Sequence, residues 1–145
     1  MTIQRMDNVG IVVEDLDAAI AFFTELGMEL ENRMRIDQSW AGRVVGLDDM
    51  RSEIAMMVIP DVPGKLELVR YHNPEAIVPE PSVAPSNTLG LHRVMFAVDD
   101  IDDTITRLRR HGGELVGEVM RETNFLLCYF RGPSGIIIGL AEQHS

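Results

Sequence analysis

The sequence is poor in cysteine and in long apolar runs, and each shortage excludes a class of protein. Cys128 is the single cysteine, which excludes an internal disulfide and a cysteine-cluster metal site and fits a reducing compartment. No stretch approaches the roughly 20 apolar residues of a membrane-spanning helix, and the opening segment, Met1 to Asp7, has no apolar signal-peptide region. We therefore expect a cytoplasmic location and no membrane partner.

Basic residues are also scarce. The 13 Lys and Arg residues stand against 23 Asp and Glu residues, which gives a formal net charge of −10. Nucleic acids and anionic membranes are bound through basic patches that meet their phosphates. The charge balance therefore argues against nucleic acid as a partner.

The chain contains an internal repeat at an offset of 85 residues. Residues 8–30 align without a gap on residues 93–115, and eight of these 23 positions are identical, whereas chance would give about one or two. The identical pairs are Val9/Val94, Val13/Val98, Asp15/Asp100, Asp17/Asp102, Ile20/Ile105, Gly27/Gly112, Glu29/Glu114 and Leu30/Leu115. The two halves are therefore expected to share one architecture.

Each copy of the repeat is typical of a strand followed by a helix and further strands. The β-branched runs 9–13 and 94–98 predict buried strands, and Asp15 and Asp100 are placed to cap the helices that follow. Gly27 and Gly112 stand where a left-handed residue ends a helix.

Further strands are predicted after each helix, at 28–34, 41–45, 53–59 and 65–70 in the first half and at 114–120, 125–131 and 136–141 in the second. The proline-rich segment between the halves indicates an extended connector. We expect a single domain with module one at about 5–71, the connector at about 72–90 and module two at about 91–143.

This pattern resembles the vicinal oxygen chelate superfamily, which includes glyoxalases, bleomycin resistance proteins and extradiol dioxygenases, over nearly the whole chain. The resemblance rests on the segment from Val9 to Asp17, its echo from Phe96 to Asp102, the Leu66-Glu67-Leu68 pattern and the Gly132-Pro-Ser-Gly135 turn. It implies an α+β fold of two βαβββ modules in tandem. Each module would be a curved mixed sheet that forms a cup, with a helix packed on its outer face.

In metal-dependent members, the first and last strand of each module supply one ligand each. The resemblance assigns these positions to Asn8, Glu67, Arg93 and Gly139. Only Glu67 is an ordinary ligand, because Gly139 has no side chain and the guanidinium of Arg93 keeps its positive charge. We therefore expect a member with a degenerate metal site and no cofactor, while a divalent metal held by Glu67 is the alternative.

His92 is a second candidate ligand, one residue before Arg93. Successive strand residues face opposite sides, so His92 is expected to point away from the cup, and only a β-bulge would exchange the two. His72 is interpreted as a solvated histidine where the fourth strand enters the connector.

The resemblance brings Glu67 and Arg93 into one cup and leaves two interpretations of the pair open. They form an internal ion pair, or Arg93 holds an anionic ligand while Glu67 acts as a catalytic proton-transfer group. Asn8, Met95 and Met56 or its neighbour Met57 are the further expected binding residues. No face is assigned to Trp40, Arg43 or Tyr129.

Three functions remain open. The first is a binding protein for a small, anionic molecule, with most of the metal site lost. The second is an enzyme, either a glyoxalase-like lyase or isomerase or a ring-cleaving dioxygenase, that uses Glu67 with Arg93 or with a divalent metal. The third is a structural or regulatory subunit with a filled cup. The resemblance also implies a homodimer.

Overall fold

The computed structural model describes residues 2–144 and has an α+β fold of three helices and two mixed sheets. The chain forms two compact units that divide between Ile77 and Val78, within the segment predicted as a connector. Each unit repeats the predicted succession of one strand, one helix and a set of antiparallel strands. The fold class inferred from the internal repeat is confirmed.

The first unit carries a four-stranded sheet in the order β1-β4-β3-β2. Its elements are β1 (Val9–Val12), α1 (Leu16–Leu26), β2 (Glu29–Ile36), α2 (Ser39–Val45), β3 (Arg51–Ile59) and β4 (Val62–Asn73). Strand β1 lies parallel to β4, and the other neighbours are antiparallel. Helix α1 packs on one face of this sheet, where Phe22 and Phe23 are fully buried.

The second unit carries a five-stranded sheet with the same connectivity. Its elements are β5 (Arg93–Ala97), α3 (Ile101–Arg109), β6 (Glu114–Leu115), β7 (Met120–Arg121), β8 (Phe125–Arg131), a 3₁₀ turn (Pro133–Gly135) and β9 (Ile137–Gln143). The order is β5-β9-β8-β6, and β7 also pairs with β8. Strand β5 lies parallel to β9, as β1 does to β4, and α3 packs against β8 and β9.

Both predicted helix caps are confirmed. The carboxylate of Asp15 accepts a hydrogen bond from the backbone N–H of Ala18, and that of Asp100 accepts one from Asp103, each at 3.0 Å. Such caps satisfy N–H groups that have no partner inside the helix. The repeated aspartates at 15 and 100 therefore start the helix of each unit.

The second pair of repeated aspartates also has one role in both units. Arg33 on β2 donates to Asp17 in the first turn of α1, and Arg121 on β7 forms a two-point ion pair with Asp102 in the first turn of α3. In each unit an arginine from a strand thus ties the sheet to the amino end of its helix. We call these two contacts the arginine clamps.

Two predicted strands differ from the structure. Residues 41–45 belong to α2 rather than to a strand, because Val44 and Val45 remain exposed and the chain turns at Gly46 in a left-handed conformation (φ 76°). The absence of a side chain at Gly42 lets this turn close, since a Cβ atom there would lie 2.6 Å from the carbonyl oxygen of Leu47. Local turn geometry thus overrides the strand propensity of the paired valines.

The predicted strand at 114–120 is broken into β6 and β7. The four residues between Leu115 and Met120 stand opposite only two residues of β8, because Leu115 pairs with Phe130 and Met120 with Leu127. This bulge includes Gly117, a residue that weakens continuous strands. Among residues 2–144, no helix has the length and apolar character that crossing a membrane requires.

Candidate functional site

Each sheet has a helix-covered face and an opposite face, which we call the open face. Along β5 the side chains of Arg93, Met95 and Ala97 are exposed, whereas Val94 and Phe96 between them are half-buried. The same alternation places Gly10 and Val12 of β1 on the open face of the first sheet. The candidate site residues of both first strands therefore lie on open faces.

In the first unit, Glu67 occupies the central strand position of the open face. It pairs with Gly10 of β1 on one side and with Met56 of β3 on the other. Its carboxylate is half-buried and has no ion pair within residues 2–77. Met56 shares this face, whereas Met57 is fully buried on the helix side, so the register decides between the two methionines.

The second unit has an equivalent row of residues with different chemistry. Met95, Gly139 and Tyr129 pair across β5, β9 and β8 as Gly10, Glu67 and Met56 do in the first unit. The register therefore places Gly139 in the position that corresponds to Glu67. Asn8 is exposed one residue before β1, as its assigned counterpart Arg93 is exposed at the start of β5.

The space over Gly139 is filled by its neighbours. A Cβ atom at position 139 would lie 3.0 Å from Cγ and 3.1 Å from Sδ of Met95. The guanidinium of Arg93 stacks over the ring of Tyr129, with its central carbon 4.8 Å from the ring centroid. Arg93, Met95, Gly139 and Tyr129 thus form one continuous surface, which we call the arginine–tyrosine surface.

Tyr129 is one of the three residues whose face the sequence left unassigned. Its orientation could have been found by pairing the last two strands around the Gly132-Pro-Ser-Gly135 turn, since Tyr129 then falls opposite Gly139. The sequence signal was present, but it required the strand register rather than the alternation of one strand alone.

His92 lies on the side opposite to Arg93. It is half-buried, as Val94 and Phe96 are, and the pairing of β5 with β9 runs without a shift from Arg93 to Ala97. No bulge therefore turns His92 toward the open face. Its Nε2 atom is buried without a hydrogen-bond partner in the described part of the chain.

The chain is similar to known proteins over nearly its whole length. The family model described as the Glyoxalase/Bleomycin resistance protein/Dioxygenase superfamily matches residues 5–140. The chain belongs to this superfamily. No curated protein sequence matches the chain significantly.

Solved structures share this fold at different levels of sequence identity. A glyoxalase family protein from Bacillus cereus is 52% identical, with a TM-score of 0.92 over 100% of this chain and 97% of that one. A glyoxalase I mutant from Zea mays is 18% identical, with a TM-score of 0.68 over 97% of this chain and 45% of that one. TnmS3, an antibiotic binding protein from Streptomyces sp. CB03234, is 21% identical, with a TM-score of 0.59 over 99% and 98% of the two chains.

This glyoxalase-superfamily chain also has concave surfaces at the end of its first sheet. A cavity of about 810 Å³ is lined by α2, the following loop and the start of β3, and a second of about 220 Å³ lies at Arg35, Arg51 and His72. His72 is the penultimate residue of β4 rather than a loop residue. Sequence reasoning missed these surfaces because their lining comes from separate elements and from the helix α2, which was predicted as a strand.

Proposed function

We propose that this superfamily member binds a small anionic molecule on the open face of its second sheet. The observation that carries the proposal is the exposed guanidinium of Arg93, which stacks on Tyr129 and has no carboxylate partner within residues 78–144. A positive charge held in place and left unpaired in a chain of net charge −10 favours an anionic ligand.

The geometry of the arginine–tyrosine surface supports this role. A guanidinium is planar and presents several N–H donors in a fixed fork, which fits the two oxygens of a carboxylate or phosphate. Stacking on Tyr129 restricts the orientation of that fork, so less entropy is lost when a ligand binds. Met95 beside it supplies an adaptable apolar contact for the remainder of the ligand.

The four positions assigned to metal ligands do not fit a divalent metal. Arg93 would place a fixed positive charge at the ion, and Gly139 offers no donor atom while Met95 occupies the space where its side chain would begin. We therefore propose that the superfamily's metal site is lost here, with Asn8 and Glu67 the remaining polar residues of that set. No step of the proposed function passes through a metal.

One structural neighbour supports a binding role. TnmS3 shares the fold and is described as an antibiotic binding protein. A similar role for this chain would be capture of a partly apolar anionic compound without chemical change. Met95 of the second sheet would then provide a flexible contact.

The second candidate function is that of a lyase or isomerase. Its support is Glu67, a half-buried carboxylate with no ion pair in its own unit, beside the apolar Met56. A carboxylate in such surroundings is suited to proton transfer to or from a substrate. In this case, Glu67→Gln would abolish turnover while leaving ligand binding largely intact.

The two candidates are separated by binding and turnover measurements on matched variants. Carboxylate-bearing compounds would be screened by thermal shift against the wild type, Arg93→Gln and Arg109→Gln, and the ligands found would then be followed for chemical change. We expect the shifts to be lost in Arg93→Gln and retained in Arg109→Gln, because Arg109 is an exposed residue of α3. Shifts that survive Arg93→Gln would contradict the proposed site.

Metal content is the first control. The purified protein would be titrated calorimetrically with nickel, zinc, manganese and iron(II), alongside Glu67→Ala. We expect no stoichiometric binding, because the assigned positions hold one carboxylate and one guanidinium. Binding at micromolar affinity or tighter that Glu67→Ala abolishes would overturn the proposed loss of the metal site and favour the metal-dependent lyase or dioxygenase.

A further inference from the structure

A group of cationic side chains surrounds a small cavity where β2 ends and β3 begins. The cavity measures about 220 Å³ and is lined by Arg35, Asp37, Arg51, Ser52 and His72. The cavity of about 810 Å³ beneath α2 shares two of these residues, Asp37 and Arg51. The small cavity therefore adjoins a larger space whose volume lies in the range of ligand pockets.

The two guanidinium groups of this cavity have no direct carboxylate partner within residues 2–77, while Asp37 in the cavity and Asp48 and Asp49 in the adjoining one add negative charge nearby. Two positions back along β2, Arg33 is held by two carboxylates, those of Asp17 and Glu53. The side chains of Arg35 and Arg51, in contrast, form no direct ion pair and no hydrogen bond within residues 2–77. An excess of acidic residues over basic ones makes two adjacent unpaired guanidinium groups unusual in this chain.

Glu53, which lies opposite Arg35 on the neighbouring strand, is a further carboxylate close to the cavity, and its oxygens already contact Arg33 and His72. Oε2 accepts a hydrogen bond from Nε of Arg33 at 2.9 Å, and Oε1 lies 3.8 Å from Nε2 of His72. The hydrogen bond from Arg33 lowers the pKa of Glu53, which keeps this carboxylate ionised and bound to Arg33. Arg35 and Arg51 are left facing the cavity.

We propose that this cavity is a second ligand site, which binds the phosphate group of a small molecule. Arg35 and Arg51 would hold the phosphate oxygens through their guanidinium forks, and His72 would add a further N–H donor. The rest of the ligand would extend past Arg51 into the larger cavity beside Arg43 and α2. A dianion is the best match to two guanidinium groups with an adjacent imidazole.

Asp37 provides a control variant whose expected effect on phosphate affinity is opposite to that of the arginine variants. It lines both cavities and places one negative charge next to the proposed phosphate. Its removal would therefore strengthen phosphate binding, whereas removal of either arginine would weaken it. A general loss of structure would weaken phosphate binding in every variant. Opposite effects of the aspartate and arginine substitutions would therefore not be explained by it.

The experiment is a titration of the full chain with inorganic phosphate at pH 7 in a buffer free of other oxyanions. Amide chemical shifts of the ¹⁵N-labelled wild type would be followed, so the location of binding is measured without any substitution. We expect saturable shifts concentrated at residues 35–37, 51–52 and 72. Shifts that are absent, that do not saturate, or that centre on Arg93 would overturn the proposal.

Variants then test the named contacts. We expect Arg35→Gln and Arg51→Gln each to weaken phosphate binding roughly tenfold or more and Asp37→Asn to strengthen it, since each guanidinium supplies charge-assisted hydrogen bonds. Arg70→Gln, on β4 but outside both cavities, is the matched control and should change the affinity by less than about twofold at physiological salt. Unchanged affinity in both cavity variants would refute the site.

Two further measurements separate this site from related alternatives. Acetate is expected to bind at least tenfold more weakly than phosphate, because it carries one negative charge. Equal affinity for acetate would overturn the assignment to phosphate groups. Arg93→Gln should leave the titration unchanged, so this site and the arginine–tyrosine surface can fail independently of each other.

Discussion

At the scale of single residues, the absence of a side chain at Gly113 determines how α3 connects to β6. A Cβ atom there would lie 2.1 Å from Cε1 of Phe130 and 2.8 Å from the carbonyl oxygen of Arg131. Phe130 is fully buried, so it has no free space to move into. The close approach of the two strands at this point therefore requires glycine.

We expect Gly113→Ala to destabilise the protein by about 2–4 kcal/mol, because it forces an overlap inside a packed core. The measurement is urea-induced unfolding. Gly117→Ala is the matched control, since a Cβ atom at Gly117 meets nothing within 4 Å, and it should change the stability by less than about 0.5 kcal/mol. Similar costs for the two substitutions would show that the contact with Phe130 is not the cause.

Cys128 offers a second test at this scale. It is buried on the helix side of β8, and burial raises the pKa of its thiol from 9.0 to about 11. The reactive form is the thiolate, whose fraction at pH 8 then falls about a hundredfold. We expect negligible modification by an aromatic disulfide reagent in the native state and complete reaction of one thiol in urea. Rapid native-state reaction would place Cys128 at an accessible position.

Some residues of the candidate site could be placed from the sequence of a single strand, whereas others required the pairing of several strands. Alternation along one strand placed Arg93 and Met95 on the open face, and the resemblance to the superfamily identified Gly139 as the counterpart of Glu67. The stacking of Arg93 on Tyr129 needed the pairing of three strands, and its distance could be obtained only from the folded structure.

At the scale of elements, the arginine clamps explain why the repeat keeps aspartate at positions 17 and 102. The partner arginines, Arg33 and Arg121, are not themselves aligned by the offset of 85, because the broken strand β6–β7 shifts the position from which an arginine reaches α3. Caps and buried strands were therefore predictable from the repeat, whereas these partners were not.

The second contact of Arg33, with Glu53, should make stability depend on pH. Hydrogen bonding from Arg33 lowers the pKa of Glu53 below its ordinary value of 4.5 in the folded state. A group with a lowered folded pKa stabilises the protein above its unfolded pKa, and this contribution is lost as the pH falls through the folded value. Arg33→Gln should therefore lower Tm at pH 7, and the difference from the wild type should shrink below about pH 4.

The control for this effect is Arg109→Gln, which removes an exposed arginine of α3 that has no ion pair in the second unit. Its effect on Tm should be small at every pH, since isolated surface charges contribute little. A difference between the wild type and Arg33→Gln that stays constant from pH 7 to pH 3 would contradict the role of Glu53.

Helix α3 is also tied to the last strand by a buried carboxylate. Oε1 of Glu142 accepts a hydrogen bond from the backbone N–H of Ile101 at 2.7 Å, at the first residue of the helix. Glu142→Ala would leave this buried N–H without a partner, and we expect a loss of about 1–3 kcal/mol in urea unfolding. Glu142→Gln keeps an oxygen acceptor and should cost distinctly less. Equal losses would indicate that charge, rather than this hydrogen bond, matters.

Helix α2 shows where element prediction failed and why. Strand propensity favoured Val44 and Val45, but a strand there would need a neighbour to pair with, and the chain instead turns at Gly42 and Gly46. Turn formation depends on close contacts such as that between Gly42 and Leu47, which a propensity scale does not contain. The cavity beneath α2 was missed for the same reason.

At the scale of the whole molecule, we propose the homodimer that the superfamily implies. The mass of the particle at different salt concentrations tests it. A net charge of −10 on each chain opposes association, and salt screens this repulsion. We expect light scattering to give twice the chain mass of 16.2 kDa at physiological salt and a shift toward monomer at low salt. A monomer at every salt and protein concentration would refute the dimer.

The contact between Met95 and Gly139 couples substitutions at these two positions. A side chain at position 139 would begin 3.0 Å from Cγ and 3.1 Å from Sδ of Met95, so this flexible side chain would have to shift to admit it. A smaller residue at position 95 would remove the contact, and the effect of a substitution at 139 should then depend on the residue at 95. For anyone engineering a metal centre into this protein, the first position to vary therefore lies outside the four assigned ligand positions.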